Sequence, residues 1–253
     1  MSRQIFLLIL FSIAVQAFFR PIYSGGGGEQ DCEKTSTSSP SGSTPSASTP
    51  SASTPSKITP KYSYTCPKDW NLTTRTPSQF NGQTGFLCTK FITAPASISV
   101  NSASELCKKE NAALTAFEND EERLKLHDEA RKHIITDLKL GSGGVAIAGD
   151  RLPQCVTQNR TVLEENMKNP PCNNPKQEYT LPESAHTNAE FLWNSWAPLE
   201  PSHDIAGRVS EDCLQMIISS NNRNGKINDI YCTVETFWNY GAYCGKPVDI
   251  VTV

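Results

Sequence analysis

The sequence predicts an α+β domain, and three observations lead to this fold class. Two segments early in the globular part of the chain, residues 102–113 and 119–135, begin with helix-capping residues. Short apolar runs separated by turn residues follow these segments, as is typical of strands. Eight of the nine cysteines lie in residues 66–247, which we predict to be a single domain held together by disulfide bonds.

Each predicted helix begins with a capping box. Ser102 and Asn119 each stand three residues before a glutamate, Glu105 and Glu122 respectively. In this arrangement the N-cap oxygen and the glutamate each accept a hydrogen bond from a backbone N–H group of the first turn. We therefore expect the first helix to begin at Ser102 and the second at Asn119.

The strands are predicted from apolar runs that are bounded by turns. These runs are residues 85–92, 144–149, 191–197, 213–219, 226–232 and 237–244. Asn224-Gly225 predicts a hairpin between two of them, because both residue types tolerate a positive φ. The polar stretch 154–188 has no periodicity and contains four prolines, so we predict an inserted loop there.

Residues 1–17 have the composition of a secretory signal peptide. Arg3 precedes an apolar run from Ile5 to Val15, and small residues lead to Ala17, where a signal peptidase would cleave. Extended to Phe19, the apolar segment has 15 residues, whereas a membrane-spanning helix needs about 20. This length favours a signal peptide over an uncleaved anchor. We expect a secreted, extracellular protein without membrane insertion.

Residues 18–65 are predicted to be a disordered stalk. Four glycines at 25–28 are followed by residues 35–60, of which 21 are Ser, Thr or Pro. This composition is typical of a mucin-like, O-glycosylated stalk, and the alternative is an unmodified linker. Residues 248–253 are predicted to be a short tail. Asn71 and Asn159 begin Asn-x-Thr sequons, which we expect to carry N-glycans.

Composition and motifs exclude two classes of function. A net charge of -3 and a pI near 5.8 leave no excess of cations to neutralise the phosphates of a nucleic acid. The chain has no Gly-x-Ser-x-Gly elbow and no His-Glu-x-x-His motif. We therefore predict neither a nucleic-acid partner nor an enzyme.

The positions of the cysteines narrow their pairing, although eight cysteines permit 105 arrangements. In the predicted hairpin Cys213 and Cys232 lie opposite each other at the open end, where they can bridge. Cys155 and Cys172 flank the predicted loop, and a bond between them would close its base.

The remaining cysteines form two further pairs and leave one over. Cys66 and Cys88 would close the first hairpin of the domain. Cys107 would then meet Cys244 and join the two ends of the domain. Cys32, in the predicted stalk, is expected to be free or to link the chain covalently to a second one.

The segment 200–229 is rich in oxygen donors. It contains Glu200, Ser202, Asp204, Glu211, Asp212, Asn228 and Asp229. Calcium requires six to eight such hard oxygen ligands, several of them anionic, whereas zinc prefers His and Cys. The alternative is that these acids only decorate surface loops, as Asp and Glu usually do.

A set of short motifs occurs in order along residues 66–246. They are Cys-Pro-Lys-Asp-Trp at 66–70, Leu106-Cys107, Ala146-Ile-Ala-Gly149, Phe191-Leu-Trp-Asn-Ser-Trp196, Glu200-Pro-Ser202, Glu211-Asp-Cys213, Asn228-Asp229 and Tyr243-Cys244. Their order and spacing resemble the C-type lectin-like domain in its long form. The resemblance implies two helices, two small antiparallel sheets and a long loop region, stapled by disulfides. It implies the pairs 66–88, 107–244 and 213–232, and the pair 155–172 is similar to one in secreted nematode members.

The resemblance also implies a sugar site that depends on one calcium ion. In the family the ion accepts two neighbouring hydroxyls of a sugar, and the side chains that bind the ion also bind the sugar. The positions that match, for calcium and for carbohydrate, are Glu200, Ser202, Glu211, Asn228 and Asp229.

Two residues depart from the family pattern at this site. Ser202 stands where sugar-binding members commonly have Asn, and a hydroxyl offers fewer hydrogen bonds than an amide. Ile227 stands where they have Trp. The resemblance further implies a cis peptide bond before Pro201, and Glu rather than Gln at position 200 favours mannose-type over galactose-type sugars.

We therefore predict a secreted, calcium-dependent carbohydrate-binding lectin on a mucin-like stalk, with glycans as partners and a role in their innate recognition. The alternative is a protein-interaction domain that keeps the scaffold and has lost sugar binding, which the substitution at Ser202 would permit.

Overall fold

The computed structural model of the protein describes residues 61–235 and 238–252. The predicted signal peptide, Cys32 and nearly all of the predicted stalk lie outside these ranges. Within them, no helix combines the length and the apolar composition that crossing a membrane requires.

The described residues form three α-helices and eleven strands. The helices are α1 (Val100–Lys109), α2 (Asp120–Arg131), which continues as a π-helix (Lys132–Asp137), and α3 (Arg160–Asn166). The strands are β1 (Tyr62–Thr65), β2 (Asn71–Thr74), β3 (Phe86–Ile98), β4 (Ala113–Leu114), β5 (Gly143–Arg151), β6 (Tyr179–Thr180), β7 (Ile205–Ala206), β8 (Val209–Ile218), β9 (Ile227–Tyr231), β10 (Asn239–Lys246) and β11 (Asp249–Thr252). The predicted α+β class is confirmed.

Nine of the strands form one connected sheet. The order along it is β2-β3-β10-β5-β8-β7, with β4 also paired to β10, β6 to β5 and β9 to β8. The pairs are antiparallel except β10 and β5, which are parallel. The two small antiparallel sheets expected from the sequence are therefore joined into one mixed sheet, because β10 pairs with both β3 and β5.

The hydrophobic core consists of two clusters. The larger one packs α2 and the π-helix against the sheet, with Phe117, Leu126 and Ile134 fully buried. The smaller one packs α1, through Val100 and Ala103, against β5 and β10. Together they make the sheet a rigid base for the loops that precede β7 and β8.

The first helix begins one turn earlier than the sequence predicts. Ser99 is its N-cap, and the Ser99 side chain accepts a hydrogen bond from the Ser102 N–H. The earlier start lets Val100 enter the core. The second helix has the predicted N-cap, Asn119, which accepts from the N–H of Glu122.

The predicted strand at 191–197 is wrong. Leu192–Asn194 form a 3-10 helix instead, and Leu192 is fully buried in the larger core cluster. Trp193 and Trp196 stack with their ring centroids 6.4 Å apart. Residues three apart share a face in a helical turn but lie on opposite faces of a strand, so the turn brings these two half-buried rings together.

The connection between β8 and β9 is longer than a two-residue hairpin. Only Gly225 of the predicted Asn224-Gly225 pair has a positive φ, of 69°. The Asn224 side chain instead accepts a hydrogen bond from the Ser219 N–H, at 2.9 Å. This bond fixes the turn that carries Arg223.

The four disulfides are those predicted from the sequence: Cys66–Cys88, Cys107–Cys244, Cys155–Cys172 and Cys213–Cys232. The pair Cys107–Cys244 joins α1 to β10. The pair Cys155–Cys172 closes the predicted insertion at 154–188, which is not wholly irregular because α3 and β6 form inside it.

The ordered part of the domain extends beyond the predicted limits 66–247. β1 and β11 pair as an antiparallel two-stranded sheet, with Tyr62 opposite Thr252 and Thr65 opposite Asp249. Residues assigned by the sequence to the stalk and to the tail therefore close the domain.

Candidate functional site

The five residues predicted to bind calcium and sugar lie together in the structure. Glu200 and Ser202 flank Pro201 in the loop before β7, and the Glu200–Pro201 peptide bond is cis. Glu211 lies in β8, and Asn228 and Asp229 lie in the neighbouring strand β9. We call these five residues together with Arg223 the loop cluster.

Asp229 anchors the loop to the sheet. Its side chain is fully buried, with Oδ1 accepting from the Ser202 N–H at 2.9 Å and Oδ2 from the His203 N–H at 2.8 Å. The Tyr179 hydroxyl also donates to Oδ2, at 3.3 Å. The His203 ring in turn places Nε2 2.9 Å from Oε2 of Glu178. The loop is therefore held by protein groups on both sides of Ser202.

Glu211 holds the same loop from β8. Its Oε2 atom accepts from the Ser202 hydroxyl at 2.7 Å and from the Asp204 N–H at 2.9 Å. The Ser202 hydroxyl, which the sequence predicts to bind calcium, thus donates a hydrogen bond to Glu211, another predicted calcium ligand.

Arg223 is a member of the site that the sequence did not predict. Its Nη2 group donates to Oε1 of Glu200 and to Oδ1 of Asn228, the latter at 2.8 Å. Arg223 lies in the connection between β8 and β9, where the sequence shows only turn residues. The charge of Arg223 could have pointed to this role. Arg223 is a cation five residues before Asn228, in a turn that returns the chain to the acidic residues of the site.

Burial dominates the electrostatics of the three acids in the cluster. It raises the pKa of Asp229 to about 6, although the N–H groups of Ser202 and His203 oppose the shift. Burial also raises the pKa of Glu200 and that of Glu211, and the charge of Asp229 adds to the shift at Glu211. Of the three carboxylates, that of Glu200 contacts Arg223, whereas those of Glu211 and Asp229 accept hydrogen bonds from the loop.

The donors do not fit a calcium ion in the arrangement that the structure shows. Calcium requires six to eight oxygens directed at one point, whereas Glu200 and Asn228 contact Arg223, and Asp229 and Glu211 contact backbone N–H groups. Across the described ranges, no group of three or more His, Cys, Asp or Glu residues is arranged to hold a metal ion.

The two other acids of the segment have partners of their own. Asp204 accepts from the Tyr231 hydroxyl at 2.9 Å and from Arg160 at 3.0 Å, and the bond from Tyr231 is the main reason that the pKa of Asp204 is lowered. Asp212 accepts from the Ser210 hydroxyl at 2.5 Å. Neither side chain contacts Arg223.

Ile227 is part of the core rather than of the binding surface. It is fully buried and its backbone is bonded to Ser195 and Ala197. The aromatic rings near the site come from elsewhere: Trp196 lies 5.2 Å from Tyr179, ring centroid to ring centroid. Because Tyr179 donates a hydrogen bond to Asp229, which anchors the loop, these rings support the loop through Asp229.

The two predicted N-glycosylation sites differ in their surroundings. Asn159 is exposed and caps α3, its Oδ1 accepting from the N–H groups of Thr161 and Val162. Asn71 lies in β2 and its Nδ2 donates to Glu129 at 3.4 Å. Glycosylation at both remains a prediction.

The family described as "C-type lectin domain-containing protein 141/158" matches residues 72–247 of this chain. The chain belongs to the C-type lectin domain family. The C-type lectin domain-containing protein 158 of Caenorhabditis elegans is 38% identical over 191 residues, which cover 72% of this chain and 88% of that protein. The C-type lectin domain-containing protein 141 of the same organism is 29% identical over 204 residues, covering 71% of this chain and 65% of that protein.

Solved structures with C-type lectin folds are also similar to this C-type lectin domain. A calcium-independent type II antifreeze protein has 15% identity and a TM-score of 0.43, covering 74% of this chain and 98% of that one. The complex of SPL-1 with GlcNAc has 15% identity and a TM-score of 0.42, covering 72% and 94%. The cow CD23 carbohydrate-recognition domain, determined in the presence of a GlcNAc2Man3 oligosaccharide, has 17% identity and a TM-score of 0.42, covering 73% and 98%.

Proposed function

We propose that this C-type lectin domain binds glycans at the loop cluster. The observation that carries the proposal is the convergence of Glu200, Ser202, Asn228 and Arg223, from separate segments of the chain, on one hydrogen-bonded surface. Sugar hydroxyls both donate and accept hydrogen bonds, so a surface that offers carboxylate, amide, hydroxyl and guanidinium groups is chemically matched to them. Glu200 favours mannose-type over galactose-type sugars as the ligand.

Calcium is a separate part of the proposal. The sequence predicts that one calcium ion joins the sugar to the protein, whereas Glu200 and Asn228 contact Arg223 in the structure. Binding through calcium would therefore require these two side chains to leave the guanidinium first.

The test is retention of the secreted protein on immobilised mannose, N-acetylglucosamine and galactose, in calcium and in a chelator. Retention that the chelator abolishes would support calcium-dependent binding. Retention in both buffers would support glycan binding without calcium. Passage through all three columns in both buffers would contradict glycan binding. Arg208→Ala, in an exposed turn of the same region, is a control that should behave like the wild type.

A second function, contact with a protein partner, is favoured by Leu199. This side chain stands directly before Glu200 and is 96% exposed. An apolar side chain displayed in a binding loop is better matched to a protein surface than to sugar hydroxyls. Failure on the sugar columns together with loss of a captured partner on Leu199→Ser would support this alternative.

We further propose that the protein is secreted and that its lectin domain is held on an O-glycosylated stalk, where it serves the innate recognition of glycans. The four disulfides suit an oxidising, extracellular compartment. Recovery of the protein from the medium of expressing cells, with an intact mass above that of the polypeptide after removal of N-glycans, is the expected result. Non-reducing electrophoresis would show whether Cys32 links two chains.

A further inference from the structure

Arg223 occupies the position between two residues that the sequence predicts to be calcium ligands. One guanidinium nitrogen donates to both Glu200 and Asn228. We infer that Arg223 is the resident cation of the loop cluster, so that the loop keeps its structure without calcium, and calcium binds only by displacing the guanidinium. This inference concerns the cation and does not depend on the identity of the sugar.

A cation of the chain itself already pairs with the nearest acid of the loop. The Arg223 guanidinium contacts Glu200, whose side chain is almost fully buried, and Glu211 and Asp229 are joined to the same loop through Ser202. Arginine stays protonated at any physiological pH. Because it is tethered to the chain, its guanidinium reaches Glu200 without the loss of translational freedom that a free ion must offset.

The turn that carries Arg223 is ordered by its own hydrogen bonds. The Arg223 N–H donates to Oδ1 of Asn221 at 2.9 Å. Asn224 accepts from the Ser219 N–H, and its side chain lies 2.9 Å from the His127 ring of α2. The guanidinium is therefore held near the acids before any ligand arrives.

The rest of the loop is fixed without a metal ion. Asp229 accepts from the consecutive N–H groups of Ser202 and His203, and Glu211 accepts from the Ser202 hydroxyl and from the N–H of Asp204. These bonds hold the loop against β8 and β9 with protein groups alone. The protein network still leaves Oε2 of Glu200 and Nε of Arg223, both buried, without a hydrogen-bond partner in the described part of the chain.

The experiment compares melting curves in calcium and in a chelator, without sugar. The wild type is expected to show the same melting temperature in both. Arg223→Ala is expected to melt lower in the chelator and to rise by roughly 5–10 °C when calcium is about 100 times its Kd, since the carboxylate of Glu200 is then left without a cation. Arg223→Gln, which keeps hydrogen-bond donors and loses the charge, should also respond to calcium, and Arg223→Lys should respond less. Arg208→Ala should behave like the wild type.

Two results would overturn the inference. One is a wild-type melting temperature that rises with calcium as much as that of Arg223→Ala, since Arg223 would then not compete with the ion. The other is the absence of a calcium response in both Arg223→Ala and Arg223→Gln. If Arg223→Ala does not fold, Arg223→Gln alone decides between these outcomes. Sugar retention is measured separately, so failure of this inference leaves the test of glycan binding intact.

Discussion

Asp229 connects the binding loop to the sheet through three hydrogen bonds to one buried carboxylate. Its role in the folded protein is therefore structural as well as electrostatic. A buried backbone N–H group that loses its acceptor costs about 1–3 kcal/mol, and Asp229 accepts from one buried N–H group, that of His203, and from one part-buried N–H group, that of Ser202.

Asp229→Ala is accordingly expected to lower the free energy of unfolding by about 2–4 kcal/mol, measured by urea denaturation. Asp229→Asn keeps one acceptor oxygen and should lose roughly half as much. Asn228→Ala is the matched control, because the Asn228 side chain contacts Arg223 and the Asp229 carbonyl of β9 rather than the N–H groups of the loop. An equal loss in Asn228→Ala and Asp229→Ala would show that Asp229 is not the anchor.

Leu199 has a backbone conformation that its side chain does not favour. Its φ is 70°, in the left-handed region that leucine rarely adopts, and its side chain is almost fully exposed. Leu199→Asn should therefore raise the free energy of unfolding by about 0.5 kcal/mol, because asparagine tolerates this region and little burial is lost. Leu199→Ala, which shortens the exposed side chain without favouring the left-handed region, serves as the control, and a clear loss of stability in Leu199→Asn would show that the leucine side chain stabilises the loop.

Several residues of the cluster could be predicted from the sequence, and one could not. Glu200, Ser202, Glu211, Asn228 and Asp229 lie in short motifs whose order is readable, and the structure brings all five together. Arg223 lies in a turn without periodicity, and its reach to Glu200 depends on how β8 and β9 pair. Tertiary geometry of this kind leaves no local pattern.

At the scale of elements, α1 shows that a helix can begin one turn before the capping motif that the sequence suggests. Ser99 and Ser102 both have side chains that can cap, and the burial of Val100 selects the earlier one. Ser99→Ala is expected to lower the free energy of unfolding by about 1 kcal/mol. Ser102→Ala should have less than half this effect, because the variant keeps the N–H that binds the Ser99 side chain and loses only the hydroxyl that accepts from it. Thermal unfolding of both variants tests this order, and a larger loss in Ser102→Ala would favour the start predicted from the sequence.

The segment 191–197 could not be assigned from its pattern alone. Its six-residue stretch Phe-Leu-Trp-Asn-Ser-Trp is short and apolar, and such runs fit a strand and a helical turn equally well. Packing decides between them, since Leu192 enters the core while Trp193 and Trp196 stack. The short strands β1, β2, β4, β6, β7 and β11 were missed for a related reason, because a strand of two to four residues is too short to show an alternating pattern and exists only where a partner strand lies beside it.

At the scale of the whole molecule, Arg75 joins the first part of the domain to the insertion and to α2. Its buried guanidinium donates to Glu122 at 2.5 Å, to the Ala116 carbonyl at 2.7 Å and to the Thr187 hydroxyl at 3.1 Å. The Tyr243 hydroxyl donates to the same Glu122 oxygen at 2.6 Å. Burial and the charge of Glu122 raise the pKa of Tyr243, so this phenol stays protonated.

Arg75→Met should therefore lower the free energy of unfolding by about 3–5 kcal/mol, because it leaves the buried charge of Glu122 without its partner. Adding Glu122→Gln removes that charge, keeps an acceptor for Tyr243 and should restore about 1–2 kcal/mol. Lys108→Met breaks an exposed ion pair with Glu105 and should cost less than about 1 kcal/mol. Urea denaturation of these variants gives the comparison, and no recovery in the double variant would contradict this account of Arg75.

The pairing of β1 with β11 determines how the domain resists a force applied at its N-terminal side. Tension applied at Tyr62 would open the ladder one residue pair at a time, from Tyr62–Thr252 to Thr65–Asp249. The next residue, Cys66, is covalently bonded to Cys88 in β3. The mechanical load therefore passes from hydrogen bonds to a covalent bond after four residues, and it enters a strand that is braced by β2 on one side and β10 on the other.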